Sequence, residues 1–417
     1  MTTKTKKLAA LLMSGIMTLS IAPVVHADDK VELTGMVQQS RWYSGLQSMV
    51  EKLEEEENIS IEFEVVPDDQ YDNLMKMRLN SHEAPDLIAY QFADLFAAVD
   101  PEEFFVSLDD ESWASKVKAP ELTEYNGKHY GYCFEASNGF QGLIYNKDVF
   151  EANGITELPK TLDEFYAVCD KLKEAGITPI TADDAYLTSF IGYHLARYIG
   201  QDGVKALVTG EEYNGESVTW DDEKVKAAAE SFADFAKKGY FSKNIATNKY
   251  PAGQNQEFAP GDAAIVICGS WLPNEAKDSV AEDLEWGYFN YPSVPDGKDD
   301  NTANNIANQV LAINKDSKMA DEAFQLIEYI TTGEYDKKMT EDALCIPTDK
   351  ANSDAWPTEL AGVKEAFDAT TTFYDWAAGV ESNNDITPVL QENTQKLASG
   401  KLDAAGFIKA MKEAAGK

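Results

Sequence analysis

Short apolar runs alternate with helical patterns along the chain that follows the N-terminal segment. The predicted elements, in the order strand, helix, strand, helix, strand, are 31–37, 43–57, 59–66, 71–81 and 86–90. Strands that alternate with helices of about 10–15 residues are typical of a parallel sheet covered by helices. Ligands of such sheets bind beyond the carboxyl ends of the strands. We therefore look for a site first at 38–43 and 90–92.

A second α/β series is predicted after an Asn-Gly hairpin turn at 125–128, because this dipeptide suits both positive-φ positions of a type I′ turn. Two separate strands are expected next, at 129–136 and 140–145. Thr161 and Glu164 have the spacing of a capping box and predict the start of a helix. The later predicted elements are strands at 177–181, 262–268 and 310–314 and a helix at 221–238. After residue 314 the chain is predicted to be mostly helical to its C-terminus.

The N-terminal segment has the pattern of a cleaved export signal. Lys4, Lys6 and Lys7 precede an apolar stretch at 8–25, and Val25-His26-Ala27 offers small residues at the cleavage site. The alternative, a membrane anchor, is disfavoured because the stretch is interrupted and shorter than the roughly 20 apolar residues that span a bilayer. We expect residues 1–27 to be a signal peptide. The protein is then exported to the periplasm or the outer face of the cytoplasmic membrane, without a lipid-bearing cysteine at the cleavage point.

Charge narrows the possible partners. The chain of 417 residues carries a formal net charge of −36, and the signal peptide contributes only positive charge. Such an acidic surface repels nucleic acid and anionic lipid. Arginine occurs only at 41, 78 and 197, which is a poor supply for binding an anion. A neutral or cationic ligand is favoured, although the acidity is equally explained as a means of solubility. The length predicts two lobes, each with its own core.

Neither metal nor catalytic chemistry has a recognisable motif. His82, His129 and His194 lack metal-ligand spacing, and no nucleotide-binding or hydrolase signature is present. We therefore expect no metal, no cofactor and no enzyme activity, although counting alone never excludes a pair of glycosidase carboxylates. The cysteines are expected to be buried thiols, with one or two disulfides as the alternative; they are Cys133, Cys169, Cys268 and Cys345.

Aromatic residues stand beside small polar residues at the ends of predicted strands. Sugars stack their C–H faces on aromatic rings, and their hydroxyl groups need planar amide and carboxyl partners. Core packing is the alternative for each ring, but Trp271 directly follows Gly-Ser at a strand end and is the best candidate for binding. The aromatic candidates are Trp42, Tyr90, Tyr186, Trp271, Tyr374 and Trp376.

Three segments carry a resemblance to a known family. They are 130–148 with 158–165, which include Leu143-Ile144-Tyr145-Asn146-Lys147-Asp148; 258–271, which ends in Gly269-Ser270-Trp271; and 310–330. In this order the chain resembles the bacterial family 1 extracellular solute-binding proteins. These are the carbohydrate-binding components of ABC importers related to maltose-binding protein.

The resemblance implies a two-lobed, periplasmic-binding-protein-like α/β fold. Each lobe is expected to be a mostly parallel sheet flanked by helices, and the chain is expected to cross between lobes near 140–143, 308–310 and 331–333. The implied limits are 28–140 plus 309–332 for the N-terminal lobe and 141–308 plus 333–417 for the C-terminal lobe.

The resemblance also implies which residues line the cleft between the lobes. Trp271 matches the sugar-stacking tryptophan of the family. The loop after the first strand and the segments before the crossings supply the other expected contacts, which are Gln39, Arg41, Trp42, Glu135, Asn138, Asn305, Asn308 and Gln309.

The function implied is capture of a sugar or oligosaccharide and its delivery to a membrane permease by a monomeric protein. One alternative is an exported carbohydrate-degrading hydrolase. A second alternative is a sensor subunit of the same fold that acts on a receptor kinase. Within the binding class, a peptide, polyamine or metal ligand stays open.

Overall fold

The structure is a computed structural model of the chain. It describes residues 30–39, 42, 44–91, 99–109, 112–117, 124–250, 252–272, 276, 284–343, 346–383 and 385–416. The predicted signal peptide, Arg41, Cys345 and the helix expected after the third strand lie outside the described residues.

The first part of the chain has the predicted alternation. Its elements are β1 (Val31–Gln38), α1 (Ser44–Glu57), β2 (Ile59–Val66), α2 (Asp68–Ser81), β3 (Leu87–Gln91) and α3 (Pro101–Phe104). Strand β1 pairs in parallel with β2 along its whole length, and its residues Gly35–Val37 pair in parallel with Leu87–Ala89 of β3. The carboxyl ends of β1 and β3 therefore lie side by side at one edge of the sheet.

The Asn-Gly hairpin is confirmed. It joins β4 (Glu124–Tyr125) to β5 (Lys128–His129), which pair antiparallel. Asn126 has φ 51° and Gly127 has φ 76°, the left-handed conformations that a type I′ turn requires. Strand β6 (Tyr132–Asn146) follows.

The middle of the chain forms a second α/β series. Its elements are α4 (Lys147–Ala152), α5 (Leu162–Glu174), β7 (Thr178–Thr181), α6 (Asp184–Thr209), α7 (Glu223–Lys237), α8 (Ala252–Phe258), β8 (Ala263–Gly269), β9 (Trp286–Phe289) and β10 (Ala303–Ile313). Helix α5 begins at the predicted capping box, in which Thr161 accepts from the Glu164 amide and the Glu164 carboxylate accepts from the Thr161 amide. Helix α6 is interrupted at Gly200, where φ is 73°.

The last part of the chain is mostly helical, as predicted. It contains α9 (Ala320–Thr331), α10 (Gly333–Ala343), α11 (Ala361–Asp368), β11 (Thr372–Tyr374), α12 (Thr387–Ala398) and α13 (Ala404–Ala415). Among the described residues no helix is both long and apolar enough to cross a membrane.

Two long antiparallel strands, β6 and β10, connect the two parts. The prediction of two separate strands at 129–136 and 140–145 is wrong, because β6 runs through Ser137-Asn138-Gly139 without a break. Those residues have turn composition, but Gly139 pairs with Ala307 of β10 and the chain pairs with β10 again at Phe134, which overrides it. The register shifts where Ala307 pairs with Gly139 and Gln309 pairs with Phe134, so that 135–138 lie opposite a single residue of β10.

Buried side chains form cores on either side of these strands. In what we call the first lobe, Leu33 and Val37 of β1 face one core, and Met36 between them faces another. A larger core, which defines the second lobe, extends from Phe140 to Met411. Strand β10 contributes Ala303 to the second-lobe core and its later residues to the first-lobe cores, so it passes from one lobe into the other.

Both lobes share one mixed sheet with the strand order β2-β1-β3-β10-β6-β8-β7; β9 also pairs with β6, and β11 with β10. Strands β1 to β3, the pair β7–β8 and the pair β10–β11 are parallel, whereas β10 is antiparallel to β3 and β6, and β6 is antiparallel to β8 and β9. Beyond the predicted boundary at 332, Tyr335 of α10 is buried in a first-lobe core. The predicted limits of the lobes stay a prediction.

The described cysteine side chains agree with the prediction of buried thiols. Cys169 is a free cysteine with no exposed surface, and burial raises the pKa of its thiol well above the ordinary value. Cys268 is equally buried, in the middle of the second-lobe core. A buried, protonated thiol behaves as a small apolar side chain.

Candidate functional site

The candidate site lies where β8 of the second lobe ends against the crossing strands. Gly269, the last residue of β8, pairs with Gln141 of β6, and Gln141 pairs with Asn305 of β10. The row Asn305–Gln141–Gly269 therefore crosses three neighbouring strands, and paired residues of antiparallel strands direct their side chains to the same face.

Trp271 folds back over the end of β8. A methyl group built on Gly269 would lie only 1.7 Å from a ring carbon of Trp271, so the ring occupies the space that any larger residue at 269 would fill. Trp271 is half-buried and packs against the second-lobe core. The Gly-Ser-Trp sequence thus fixes one face of the indole against the sheet and leaves part of the ring exposed.

Four aromatic rings meet at this place, and we call them the aromatic cluster: Tyr186, Tyr250, Trp271 and Trp376. Tyr186 stands in the centre, with its ring centroid 6.1 Å from Trp271, 6.1 Å from Trp376 and 5.4 Å from Tyr250. Tyr186 is 5% exposed and Tyr250 is 41% exposed. The tilted and edge-on contacts are those that aromatic pairs favour, so the cluster is a packed unit with an open outer surface.

Tyr186 takes its place from the start of α6. Asp183 caps this helix, and its Oδ1 atom accepts from the backbone amides of Ala185 and Tyr186, both at 3.1 Å. A capping aspartate satisfies amides that the first helical turn leaves without partners. The cap therefore fixes the residue on which the other three rings pack.

Tyr250 is held by the next residue of the same helix. The carboxylate of Asp184 accepts from Lys249 Nζ at 2.6 Å and from the Tyr250 amide at 3.3 Å, while the Asp184 amide donates to the carbonyl of Asn248 at 3.2 Å. Both cluster residues Tyr186 and Tyr250 are thus positioned by the first turn of α6.

The loop that carries Tyr250 rests on a half-buried carboxylate. Glu257 of α8 accepts from Ser242 Oγ at 2.8 Å, Asn244 Nδ2 at 2.7 Å and Asn248 Nδ2 at 3.0 Å, and Thr181 at the end of β7 donates to it as well. Burial alone would raise the pKa of Glu257, but these donors together lower it. The ionised carboxylate therefore holds the loop in place through these hydrogen bonds.

Polar groups of the crossing strands lie beside the cluster. Gln141 Oε1 accepts from the Tyr193 hydroxyl, and Asn305 Nδ2 donates to the Tyr374 carbonyl at 3.0 Å. Among the described residues, Gln141 Nε2 and Asn305 Oδ1 have no hydrogen-bond partner, although both side chains are at least 99% buried. Within the described part of the chain, a donor and an acceptor therefore lie without partners, and shielded from solvent, on the same face of paired strands.

The arginines with described side chains are committed to other contacts. Arg197 is completely buried; it donates to the Tyr291 carbonyl at 2.9 Å, to the Ala303 carbonyl at 2.8 Å and to the Tyr374 hydroxyl at 3.1 Å. Arg78 forms a two-point ion pair with Glu64 on the first lobe. Neither guanidinium is positioned as a ligand clamp.

Tyr374 lies two residues before Trp376 of the aromatic cluster. Its side chain is fully buried, its hydroxyl donates to Asp299 Oδ2 at 2.6 Å, and burial raises the pKa of that hydroxyl. We assign Tyr374 a packing role, and its predicted contact with a ligand stays a prediction.

On the first lobe, the structure describes fewer of the predicted site residues than on the second lobe. Gln39 is exposed just after β1, and its carbonyl accepts from the Trp42 amide at 3.2 Å. Trp42 is half-buried against a first-lobe core, with its ring centroid 5.5 Å from that of Phe63. Arg41 lies outside the described residues.

The backbone brings the remaining predicted residues to the crossing. Gln309 pairs with both Gln91 of β3 and Phe134 of β6, so the register shift lies next to the end of β3. The predicted residues placed there by backbone alone are Tyr90, Glu135, Asn138, Asn308 and Gln309. Their part in binding stays a prediction.

Sequence reasoning missed two residues of this site. Tyr250 stands in a polar loop with no strand-end pattern, and only its contact with Tyr186 brings it into the cluster. Gln141 follows an aromatic residue inside a strand, where the sequence gives no sign that its amide lacks a partner. Among the described residues no three histidine, cysteine, aspartate or glutamate side chains are grouped so as to hold a metal ion.

Comparison with known families identifies the chain. The model of the family described as bacterial extracellular solute-binding protein matches residues 38–337, which is most of the chain. The chain belongs to this family. The predicted resemblance is thereby confirmed. The members of this family are solute-binding proteins and are not classed as enzymes.

Among its relatives, this solute-binding protein is 28% identical over 274 residues to the diacetylchitobiose binding protein DasA of Streptomyces coelicolor. That match covers 64% of this chain but only 58% of the relative. A multiple sugar-binding protein of Streptococcus mutans is 23% identical over 311 residues, which are 73% of this chain and 72% of the relative.

Solved structures share the fold. A chitin oligosaccharide binding protein superposes with a TM-score of 0.72 at 21% identity, covering 93% of this chain and 98% of that one. The prediction of a two-lobed α/β fold is therefore confirmed for this solute-binding protein.

Proposed function

We propose that this solute-binding protein captures a neutral sugar or oligosaccharide between its lobes and delivers it to an ABC permease in the membrane. The observation that carries the proposal is the aromatic cluster, which opens beside the strands that cross between lobes. Two relatives are named for binding diacetylchitobiose and multiple sugars, and these names support a carbohydrate ligand.

The cluster suits a sugar ring because it combines rigidity with exposed aromatic surface. Trp271 and Trp376 are half-buried and Tyr250 is the most exposed of the four rings, so each offers surface on which C–H groups can stack. A spread of rings around Tyr186 favours more than one sugar unit. Their fixed packing means that little conformational entropy is lost when a ligand binds.

Hydrogen bonds would supply orientation. The amide groups of Gln141 and Asn305 offer one donor and one acceptor in the row beside Trp271. A hydroxyl group can accept from the first and donate to the second. The commitment of Arg197 and Arg78 to other groups favours a neutral ligand over an anionic one. In this proposal the first lobe adds Gln39, Trp42 and the residues at the register shift.

The energy required is moderate. A micromolar dissociation constant corresponds to about 8 kcal/mol of binding free energy. Stacks on Trp271, Trp376 and Tyr250 at about 0.5–1.5 kcal/mol each beyond the buried area, together with hydrogen bonds, supply energy of that order. Contacts from both lobes favour the closed form only by as much as the ligand prefers it over the open form.

Delivery completes the proposed role. The predicted signal peptide exports the protein, and the lobes, within the predicted limits, close as a monomer around the sugar. The closed pair of lobes is then the form recognised by the permease subunits. A hydrolase would instead release smaller sugars steadily from an oligosaccharide, whereas a binding protein only depletes it stoichiometrically.

A thermal-shift screen of the protein without residues 1–27 tests the proposal. Ligands are neutral mono- and oligosaccharides, with acidic sugars, short peptides and polyamines as comparison sets. A ligand at about 100 times its dissociation constant adds some 2.7 kcal/mol to the stability of the folded state. We expect a shift with at least one neutral sugar. Shifts with peptides or amines and none with any sugar would overturn the assignment.

A further inference from the structure

The turn that carries Trp376 has an unusual backbone. Ala377 and Ala378 have φ of 49° and 54°, and Gly379 has φ of 79°, so three consecutive residues are left-handed. The left-handed conformation costs an alanine roughly 1–2 kcal/mol, and such residues persist only where their surroundings fix them. All three residues are buried. The main contacts that fix the turn come from helix α6, and strands β10 and β11 add smaller ones.

Gly192 of α6 provides the closest contact. A methyl group built on Gly192 would lie 2.1 Å from the carbonyl oxygen of Ala377, so the turn rests directly on the helix backbone. Further along, the Gln201 side-chain oxygen accepts from the amide of Asp375, the residue before Trp376.

Lys205 of the same helix closes the contact. Its ammonium group pairs with the Asp375 carboxylate, and its side-chain carbons cover Gly379, where a methyl group would lie 2.7 Å from Lys205 Cγ. The Lys205 side chain is 13% exposed and that of Asp375 is 29% exposed, so the pair is largely shielded from water. Shielding makes such a pair stronger than an exposed one.

The same helix carries Tyr186 in its first turn. Helix α6 thus holds both Tyr186 and, through Gly192, Gln201 and Lys205, the turn that presents Trp376 to it with centroids 6.1 Å apart at 63°. Tyr186 and Gly192 precede the interruption at Gly200, and Gln201 and Lys205 follow it, so the two segments of α6 together fix the distance and angle between the two rings.

We infer that Gly192, Lys205 and Asp375 are positioning residues that set the orientation of Trp376 in the sugar-binding site and so help to select the shape of the sugar. The inference rests on the proposed function. These residues act through Trp376, and the experiment must separate that action from a general structural role.

Gly192→Ala is the central variant. Its methyl group meets a backbone carbonyl, which cannot rotate away, so the turn must move and carry Trp376 with it. Gly203→Ala is the matched control on the same helix, because a methyl group there meets only side-chain carbons of Ile199 and Val218 at 3.1–3.4 Å. We expect Gly192→Ala to weaken sugar binding about two- to tenfold, the range of one aromatic contact. Gly203→Ala should leave the affinity within twofold.

A double-mutant cycle with Trp376→Ala shows whether the effect passes through that ring. Coupled residues give non-additive effects, whereas independent ones add. Gly192→Ala should therefore cost less than twofold in the Trp376→Ala background. Full additivity, or no loss in the single variant, overturns the inference. Lys205→Met keeps the aliphatic side chain over Gly379 and removes the charge. It should weaken sugar binding less than Gly192→Ala does, and its effect should likewise be smaller in the Trp376→Ala background.

A measurement without sugar separates failure of the inference from failure of the proposed function. The near-ultraviolet circular dichroism difference between the wild type and Trp376→Phe isolates the contribution of this ring and its contact with Tyr186. Gly192→Ala should reduce that difference signal by about half or more, and Gly203→Ala should retain it. A retained signal in Gly192→Ala overturns the inference, whatever the ligand proves to be. A lost signal with no sugar bound by the wild type overturns only the proposed function.

Discussion

The two lobes on either side of the crossing strands differ in their candidate site residues and in the contacts that hold those residues in place. The second lobe contributes four aromatic rings whose positions depend on a helix cap and a carboxylate network. The described part of the first lobe contributes an exposed Gln39 and a half-buried Trp42 after β1. In the proposed function, the second lobe would hold the ligand and the first lobe would close over it.

Residues of the same type occur in both lobes in very different surroundings. Arg197, His194 and Trp271 belong to the second lobe, and Arg78, His82 and Trp42 belong to the first. Each pair allows the same substitution in both places, and therefore tests whether the difference in support is real.

The largest difference is expected for the arginines. Arg197→Met removes charged hydrogen bonds to the Tyr291 and Ala303 carbonyls and leaves both inside the core, which should lower the free energy of unfolding by about 3 kcal/mol. Arg78→Met breaks a partly exposed pair with Glu64 and should cost less than about 1 kcal/mol. Urea unfolding of the ligand-free protein measures both. Equal losses would contradict the comparison.

The sequence predicted what local chemistry determines. The capping box at Thr161, the Asn126-Gly127 hairpin and the alternation of β1 to β3 each depend on residues close together in the chain. Trp271 belongs to the same group, since the glycine that makes room for its ring lies two positions before it.

The sequence did not predict what distant contacts determine. The composition of Ser137-Asn138-Gly139 predicts a turn that would divide β6 in two, whereas pairing with β10 at Phe134 and Gly139 makes the strand continuous. Tyr250 and the contact of Gly192 with Ala377 likewise join segments far apart in the chain. The small number of arginines favours a neutral ligand, but that number does not show that Arg197 is completely buried and bonded to Tyr291, Ala303 and Tyr374.

The histidines should differ in the sign of their effect with pH. In the folded protein His194 Nε2 lies 2.6 Å from Ser231 Oγ and His194 Nδ1 lies 2.7 Å from the Tyr291 hydroxyl, so each ring nitrogen has a hydrogen-bond partner. Burial lowers the pKa of His194 from 6.5 to about 3. Between these values the unfolded chain binds the extra proton, so stability should fall as pH is lowered, by up to about 1.4 kcal/mol per pH unit.

His82 is the matched residue on the first lobe. It is exposed, and the hydrogen bond and charge of Asp316 raise its pKa. Its contribution is therefore present below pH 6.5 and is lost as pH rises. Unfolding free energies between pH 3 and 8 should show that His194→Gln flattens the acid slope, whereas His82→Gln leaves it. An acid slope that His194→Gln does not change would show that His194 is not the group that titrates.

The smallest difference, and the one closest to function, concerns the tryptophans. Trp271→Ala should weaken sugar binding at least about tenfold, because its ring packs over Gly269 and beside Tyr186 and yet stays partly exposed. Trp42→Ala should weaken it less than about threefold, because Trp42 packs on Phe63 and a first-lobe core. Titration calorimetry with the sugar found in the screen measures both affinities, and phenylalanine at each position shows how much any aromatic ring restores. A larger loss at Trp42 than at Trp271 would reverse the comparison, because the first lobe would then hold the ligand and the aromatic cluster would serve mainly to pack the second lobe.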